Sequence, residues 1–572
     1  CKIDCMQLEG LADVQVQYNF YAGEDIITDP DAGVIYGNER WGRQAEPRLR
    51  GGMCRHCYDW ENDAPLMTPL SDTVLYLIHP RGFTCHSSSG VQHRGTYAGI
   101  TEKLPYLKEL GITAVELMPS YEFLELEKQE RRERSMDEAR NHYMDLPEKE
   151  DEPPRINYWG YKRGYYFAPK MSYSASDCPA EEFKDMVKNA HQNGIEVIMQ
   201  FYFPADVKRA YILEVIKYWV FTFHVDGFHL LGMHMPTALL ATEPMLGNTK
   251  LFYEDIPCGE IYDNNDIPVY KNLAVYNDDF MYAARHFLKS DEGSLQPMLD
   301  LWKKNPKQTG VINYITNYSG FTLADLVSFD RKHNEANGEE NRDGETYNVS
   351  WNCGAEGKTR KKSILELRLK QMKNAMLLLL TAQGTPMIVS GDEFGFSHGG
   401  NNNPYCQDNA VSWLNWKLME TNREFFSFVK EAVAFRKKHP VLHRPDELTM
   451  MDYIACGYPD LSLHGEEAWK LNADGLSRQA GLMYCGCYAK VDKKNNDNFI
   501  YIAYNMHWEE HDFALPALPP DLKWAKVLDT VSDRQEEGEN GRTAAVAGRS
   551  IQIFESREKT GKEKQKAGQK KK

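Results

Sequence analysis

Between residues 72 and 440 the chain repeats one alternation: a short, almost wholly apolar run, then a longer segment with apolar positions every three or four residues. The clearest unit has Ile212, Val215, Ile216, Trp219, Val220 and Phe223 at helical spacing, followed after His224 by the apolar run Val225 to Leu231. Such a segment is a helix with one apolar face, and the run after it is a strand buried on both sides. The same unit recurs. Ile100, Leu104 and Leu107 mark a helix that Gly111 ends, and strand-like runs lie at 73–78, 112–118, 196–199, 251–253, 311–315 and 386–389. Alternating strands and helices point to a parallel sheet. These seven runs predict a closed (β/α)8 barrel, a TIM barrel, with the eighth strand placed between Leu295 and Trp302. In such a barrel the chemistry sits at the C-terminal ends of the strands. The fourth strand ends on Leu231, so a leucine should face the site.

The flanks follow another pattern. Residues 1–70 hold short β-type segments, such as the run from Val14 to Tyr21, between Gly and Pro turns. They are too few for an independent sandwich and read as part of one. After residue 440 the helical spacing stops, and the runs 498–504 and 550–554 predict an antiparallel β-sandwich over 441–556. The tail 557–572 is Lys-rich, has only Ala567 as an apolar residue after Ser556, and is expected to be disordered. The charge run from Glu125 to Arg155 and the polar stretch 334–346 read as insertions in the barrel.

Composition narrows the function classes. A formal net charge of −16 argues against nucleic acid as a partner, which would require a basic surface. No apolar run is long enough to cross a bilayer, so no membrane role is expected. With 32 Tyr and 11 Trp the chain is rich in rings suited to sugar faces, although most rings in any protein are core. Twelve cysteines are scattered, among them Cys54-Arg-His-Cys57 and Cys485-Gly-Cys487. One CxxC without a second pair is weak evidence for zinc, and the usage suits a reduced, cytoplasmic chain with no metal and no cofactor.

Several stretches together are more specific. Gly95-Thr-Tyr-Ala-Gly-Ile-Thr-Glu-Lys103 leads into the run from Tyr106 to Pro119. Asn157-Tyr-Trp-Gly-Tyr161, Tyr166-Phe-Ala-Pro169, Asn348-Val-Ser-Trp-Asn-Cys-Gly354 and Gly384-Thr-Pro-Met387 follow. Last comes Ser390-Gly-Asp-Glu-Phe-Gly395, which continues into Asn401 to Asp408. From about Gln15 to Phe554 the chain resembles glycoside hydrolase family 13, and within it the isoamylase and bacterial glycogen-debranching branch. The resemblance implies an N-terminal carbohydrate-binding-module-like sandwich, of which residues 1–70 would be the second part, then the barrel and a C-terminal sandwich. It also implies retaining hydrolysis of α-1,6 linkages in glycogen or starch.

Retention requires two carboxyl groups about 5–5.5 Å apart, one the nucleophile and the other the acid/base. The family pattern is dismantled here. Leu231 stands at the nucleophile position, His229 at that of the Arg that orients it, and Ser319 at that of the seventh-strand transition-state Asp, with Tyr318 beside it replacing a His. The third-strand motif is replaced by Gln200 to Ala205. Only Glu254, at the acid/base position, remains. Asp226 lies an odd number of residues from Leu231 and should face the helices. Asp392 and Glu393 tempt as a carboxylate pair, but the family motif around them is structural. Tyr158, Trp159 and Tyr161 match sugar-platform positions, and His229 and Tyr318 either bond to hydroxyls or fill the vacated pocket.

These residues predict an isoamylase-like protein that no longer hydrolyses, acting by binding α-glucan or as partner of an active debranching enzyme. An enzyme of altered chemistry, with Tyr318 and Glu254 as its pair on α-1,6 or α-1,4 linkages, is the alternative. A scaffold with a filled pocket is the third reading.

Overall fold

A computed structural model describes residues 16–43, 45–52, 58–126, 155–262, 266–531 and 542–559. Cys54 and Cys57, most of the charge run after Glu125 and the tail from Thr560 lie outside the described residues.

Eight parallel strands close into a barrel: β1 (Leu75–Ile78), β2 (Ala114–Leu117), β3 (Glu196–Tyr202), β4 (Gly227–Leu231), β5 (Lys250–Tyr253), β6 (Leu273–Tyr276), β7 (Gly310–Asn313) and β8 (Thr385–Val389). Each pairs with its neighbours in sequence, and β8 returns to β1 through Met387 opposite Leu75. Seven of these are the predicted runs. The eighth is not between Leu295 and Trp302, which form a helix. That segment buries Leu295, Met298, Leu299 and Trp302, a spacing of three, four and seven that belongs to one helix face. The missing strand is β6, whose apolar run is closed off on both sides by Asn272 and Asn277.

Side chains alternate strictly across the barrel wall. Leu75, Leu77, Ala114, Met118, Ile198, Phe252, Ala274, Tyr276, Ile312, Tyr314 and Met387 fill the interior. Tyr76, Val115, Leu117, Val197, Met199, Phe228 and Leu230 face the outer helices. The interior is a packed core, as this fold requires. Its lower end carries an ion pair, Lys250 Nζ with Glu196, both 1% exposed at the side chain.

The helices α1 (Tyr97–Leu110), α2 (Pro179–Gln192), α3 (Arg209–Phe223), α4 (Asp278–Lys289), α5 (Leu295–Trp302), α6 (Lys362–Leu380) and α7 (Arg423–Lys438) surround the barrel. Thr96 caps α1 by accepting from Gly99 N at 3.2 Å, and Gly111 ends it at φ 93°. A Cβ on Gly111 would also lie 2.7 Å from Val433 of α7, so the stop signal doubles as a packing requirement.

Antiparallel sheets lie at both ends of the chain. The N-terminal one pairs Gln17–Tyr18 and Val34–Tyr36 with Arg50–Gly52. The C-terminal one runs Leu461–His464, Gln479–Tyr484, Ile500–Asn505, Ser550–Glu558, Leu522–Asp529, with the pair His511–Ala514 and Thr543–Val546 beside it. It docks on the barrel through Trp302, whose ring lies 4.4 Å from that of Tyr504, while the Tyr504 hydroxyl meets Thr381 Oγ1 at 2.7 Å.

Candidate functional site

The site follows from strand phase. At the C-terminal end of the barrel, Glu116 of β2, Gln200 of β3 and Tyr276 of β6 project inward in phase with interior neighbours, and His229 of β4 shares that phase as the register partner of Gln200. They converge on the Glu116 carboxylate. Gln200 Nε2 donates to its Oε1 at 2.6 Å, and His229 Nδ1 lies 2.7 Å from the same oxygen. The Tyr276 hydroxyl donates to Oε2. The His229 ring also stacks on Tyr276 at 4.0 Å with an 11° tilt. Glu116 is 0% exposed and His229 is 4% exposed. Burial, then the Glu116 charge, holds the Tyr276 phenol far above its ordinary range.

Leu231 is the last residue of β4, one inward step above His229, and is half-buried. Its carbonyl accepts from Phe203 N at 2.9 Å. The side chain has no lone pair to attack an anomeric carbon. Glu254 directly follows β5 in the inward phase and is exposed. Ser319 is exposed beyond β7, in the turn that Gly320 closes at φ 107°.

Above Glu116 sits a cluster of half-buried rings. The Tyr161 hydroxyl donates to Gln200 Oε1 at 2.5 Å, and its ring lies 4.9 Å from that of Tyr318. Trp159 meets Tyr318 edge-on at 5.3 Å. Tyr405 joins at 6.3 Å from Trp159. Burial pushes the Tyr318 phenol up to about 12. The Tyr161 hydroxyl opposes that rise, and the charges of Glu116, Glu254 and Asp278 add to it. Tyr158 stands apart from the mouth. It is 2% exposed and lies flat against His79 at 3.9 Å, so it supports the floor of the site and presents no face to a ligand. The His79 imidazole is pushed down to about 4 by burial.

Three groups considered from the sequence have structural work. Asp226 faces the helices, where its Oδ2 accepts from Val197 N at 2.8 Å and meets His191 Nε2 of α2 at 2.9 Å. Glu393 accepts from the hydroxyls of Tyr76 at 2.6 Å and Tyr106 at 2.5 Å. Asp392 accepts from Leu323 N at 2.8 Å and from the Thr316 hydroxyl. The loop from Asn401 to Asp408 is likewise laced to the polar insertion 334–346. Asn401 Nδ2 donates to Asn337 at 2.9 Å, and Asn402 N donates to Asn334 at 2.9 Å. Asp408 holds Arg81 at 2.9 Å.

Sequence reasoning missed Glu116, Tyr276 and the role of Gln200. In the sequence Glu116 is one letter of an otherwise apolar strand. A charged residue in the inward phase of a barrel strand is the signal that marks it. Among the described residues, the two groups of side chains spaced to hold a metal ion, Cys456 with Cys485 and Cys487, and His507 with Glu509 and His511, belong to the C-terminal sheet region.

The description "Alpha amylase, catalytic domain" matches residues 77–204. Isoamylase 1 of Oryza sativa subsp. japonica is 30% identical, over 89% of this chain and 71% of that protein. Isoamylase 1 of Arabidopsis thaliana is 31% identical, over 90% and 74%. The glycogen operon protein GlgX homolog of Mycobacterium tuberculosis is 30% identical, over 83% and 74%. Among solved structures, a type I pullulanase from Bacillus subtilis complexed with maltose superposes with a TM-score of 0.66 at 20% identity, over 93% of this chain and 75% of that one. A pullulanase from Bacillus acidopullulyticus gives 0.63 at 20% identity, over 93% and 66%.

Proposed function

Because this chain belongs to the isoamylase and GlgX branch of the α-amylase family, we propose that it is a member that has lost hydrolysis and works by binding α-glucan. The observation that carries the reading is the centre of the barrel. Leucine stands at the inward end of β4, and the histidine below it is tied to Glu116. A retaining hydrolase needs a free carboxylate there. Glu116 is not a substitute, since both its oxygens are already engaged, Oε1 by Gln200 and His229 and Oε2 by Tyr276.

The half-buried rings of Trp159, Tyr161 and Tyr318 supply apolar faces on which sugar rings stack, and this binding needs no catalytic acid. Maltose in a pullulanase of the same fold agrees with a glucan as ligand. An active debranching enzyme is the protein partner that a glucan-binding relative of this kind would serve, by holding the polymer while the enzyme cuts it.

The alternative, hydrolysis through Tyr318 and Glu254, is opposed by the phenol itself. Burial pushes its pKa up to about 12, the direction that disfavours the phenolate a nucleophile needs.

The test is reducing-end release from glycogen, amylopectin and pullulan, with Glu254→Gln and Tyr318→Phe beside the native protein. No release above the variants is expected. Turnover that disappears in either variant overturns the proposal in favour of unusual chemistry in the same pocket. Retention on insoluble starch then separates a glucan binder from a scaffold with a filled pocket.

A further inference from the structure

The Cys485-Gly-Cys487 motif, which the barrel does not use, meets a third cysteine across the C-terminal sheet. Cys485 directly follows the strand Gln479–Tyr484, and Cys487 lies in the tight turn after it. The glycine between them is required. A Cβ on Gly486 would lie 2.0 Å from Asp497 O and 2.5 Å from Asn498 O, so the turn is pressed against the start of the next strand. Cys456 arrives from the loop 449–458. Its Sγ is 3.9 Å from that of Cys485, and the three sulfurs all lie within 4.8 Å of one another.

That spacing has a meaning in coordination chemistry. Four thiolates around zinc at about 2.3 Å sit about 3.8 Å apart along each edge of the tetrahedron. Three sulfurs already close to this separation form one face of such a site. The Cys456 thiol donates to the Tyr458 carbonyl at 3.2 Å and lies 3.8 Å from the Tyr488 hydroxyl, and the nearby carboxylate is that of Asp452. It accepts from Cys456 N at 3.1 Å, Gly457 N at 2.8 Å and the Tyr488 hydroxyl at 2.7 Å.

The loop that delivers Cys456 is strained. Met450 and Ala455 both have left-handed backbone, φ 58° and 55°, a conformation unfavourable for residues with a Cβ. Burial does not hold them there, because the apolar side chains of this loop point outward: Met451 is 62% exposed, Tyr453 51% and Ile454 47%. The loop is pinned instead by polar contacts around Asp452 and Asp460, and by the thiols.

We propose that Cys456, Cys485 and Cys487 bind one zinc ion as thiolates, with the fourth position taken by Asp452 or water, and that the ion staples the loop 449–458 to the end of the sheet strand. Each thiol gives up its proton to solvent, so one Zn2+ taken up by three Cys–SH releases three protons, and no redox change occurs.

The experiment uses the full chain with its thiols reduced and metal removed, titrated with Co2+ and then Zn2+. The expected result is one equivalent of Co2+ giving the sulfur-to-cobalt charge-transfer and intense visible bands of a tetrahedral thiolate site, bleached by Zn2+. Those bands disappear in Cys456→Ser and Cys487→Ser and persist in His511→Asn, which takes one ligand from the separate group of His507, Glu509 and His511. Independently of any variant, one equivalent of Zn2+ slows alkylation of Cys456, Cys485 and Cys487, located by peptide mapping, by about tenfold or more. Weak octahedral cobalt bands only, thiolate bands that survive in the Cys456→Ser/Cys487→Ser double variant, or alkylation rates unchanged by Zn2+ overturn the proposal.

Discussion

Replacing Glu116 by alanine removes the one acceptor on which three buried donors converge. His229 Nδ1 at 2.7 Å, Gln200 Nε2 at 2.6 Å and the Tyr276 hydroxyl would all be left in a layer from which water is excluded. A buried polar group left without a partner costs about 1–3 kcal/mol. The three losses share one carboxylate, so they do not add fully, and the expected destabilisation is about 3–5 kcal/mol. Glu116→Gln keeps the shape and one acceptor oxygen for Gln200 and His229, and turns an amide toward Tyr276, whose hydroxyl can rotate to accept. It should lose about 1–2 kcal/mol. Equilibrium urea unfolding followed by tryptophan fluorescence reads both, with Tyr276→Phe closing a double-mutant cycle. The cycle should give a coupling of about 1–3 kcal/mol between Glu116 and Tyr276. If Glu116→Ala stays within about 1 kcal/mol of the native protein, the donors are satisfied without the carboxylate and the account of this layer is wrong.

Restoring single family residues should not restore hydrolysis: Leu231→Asp is expected to release no reducing ends from pullulan, because Ser319 and His229 still lack the groups that act with a nucleophile. Any turnover from Leu231→Asp alone contradicts this. Tyr161→Ala should weaken retention in glycogen-containing native gels by about tenfold, a loss of about 1.4 kcal/mol, whereas Tyr158→Phe, inside the fold, should leave mobility unchanged. His191 gives a pH signature. Burial alone would lower its pKa, but Asp226 and Asp63 outweigh it and raise it to about 9. A raised folded pKa means the contribution is complete below about pH 6.5 and is lost as pH climbs through 9, so up to about 3 kcal/mol should disappear over that window. Urea midpoints at pH 6.5, 8 and 9.5 should fall more steeply for the native protein than for His191→Gln, and parallel curves would refute the assignment.

What the sequence disclosed and what it hid have physical causes. The barrel was legible because a buried parallel strand is a solid apolar run, and even the absence of a carboxylate at Leu231 could be read from one segment. Asp226 could be assigned to the helix side by counting residues along a strand. β6 was not legible, since its short apolar run is closed off by asparagines while the denser apolar face of α5 drew the eighth strand to the wrong place. Glu116 was hidden for a deeper reason. Its partner Tyr276 lies 160 residues away, and four strands from different parts of the chain meet only once the barrel closes. Tyr158 shows the converse: a motif can mark a position correctly while burial decides that its ring supports the site from beneath.

The seam between barrel and C-terminal sheet bears on how the molecule comes apart. Trp302 and Tyr504 are both 0% exposed where they meet. Beside them Arg436, 1% exposed, threads its guanidinium among the carbonyls of Leu380, Ala382, Gly384 and Leu442. The change of pattern near residue 440 is therefore a boundary in the writing of the chain and not in its mechanics. A cut there would uncover an indole and a phenol and strip Arg436 of the Leu442 carbonyl, so the two parts should melt as one body and neither should survive as a free-standing fragment.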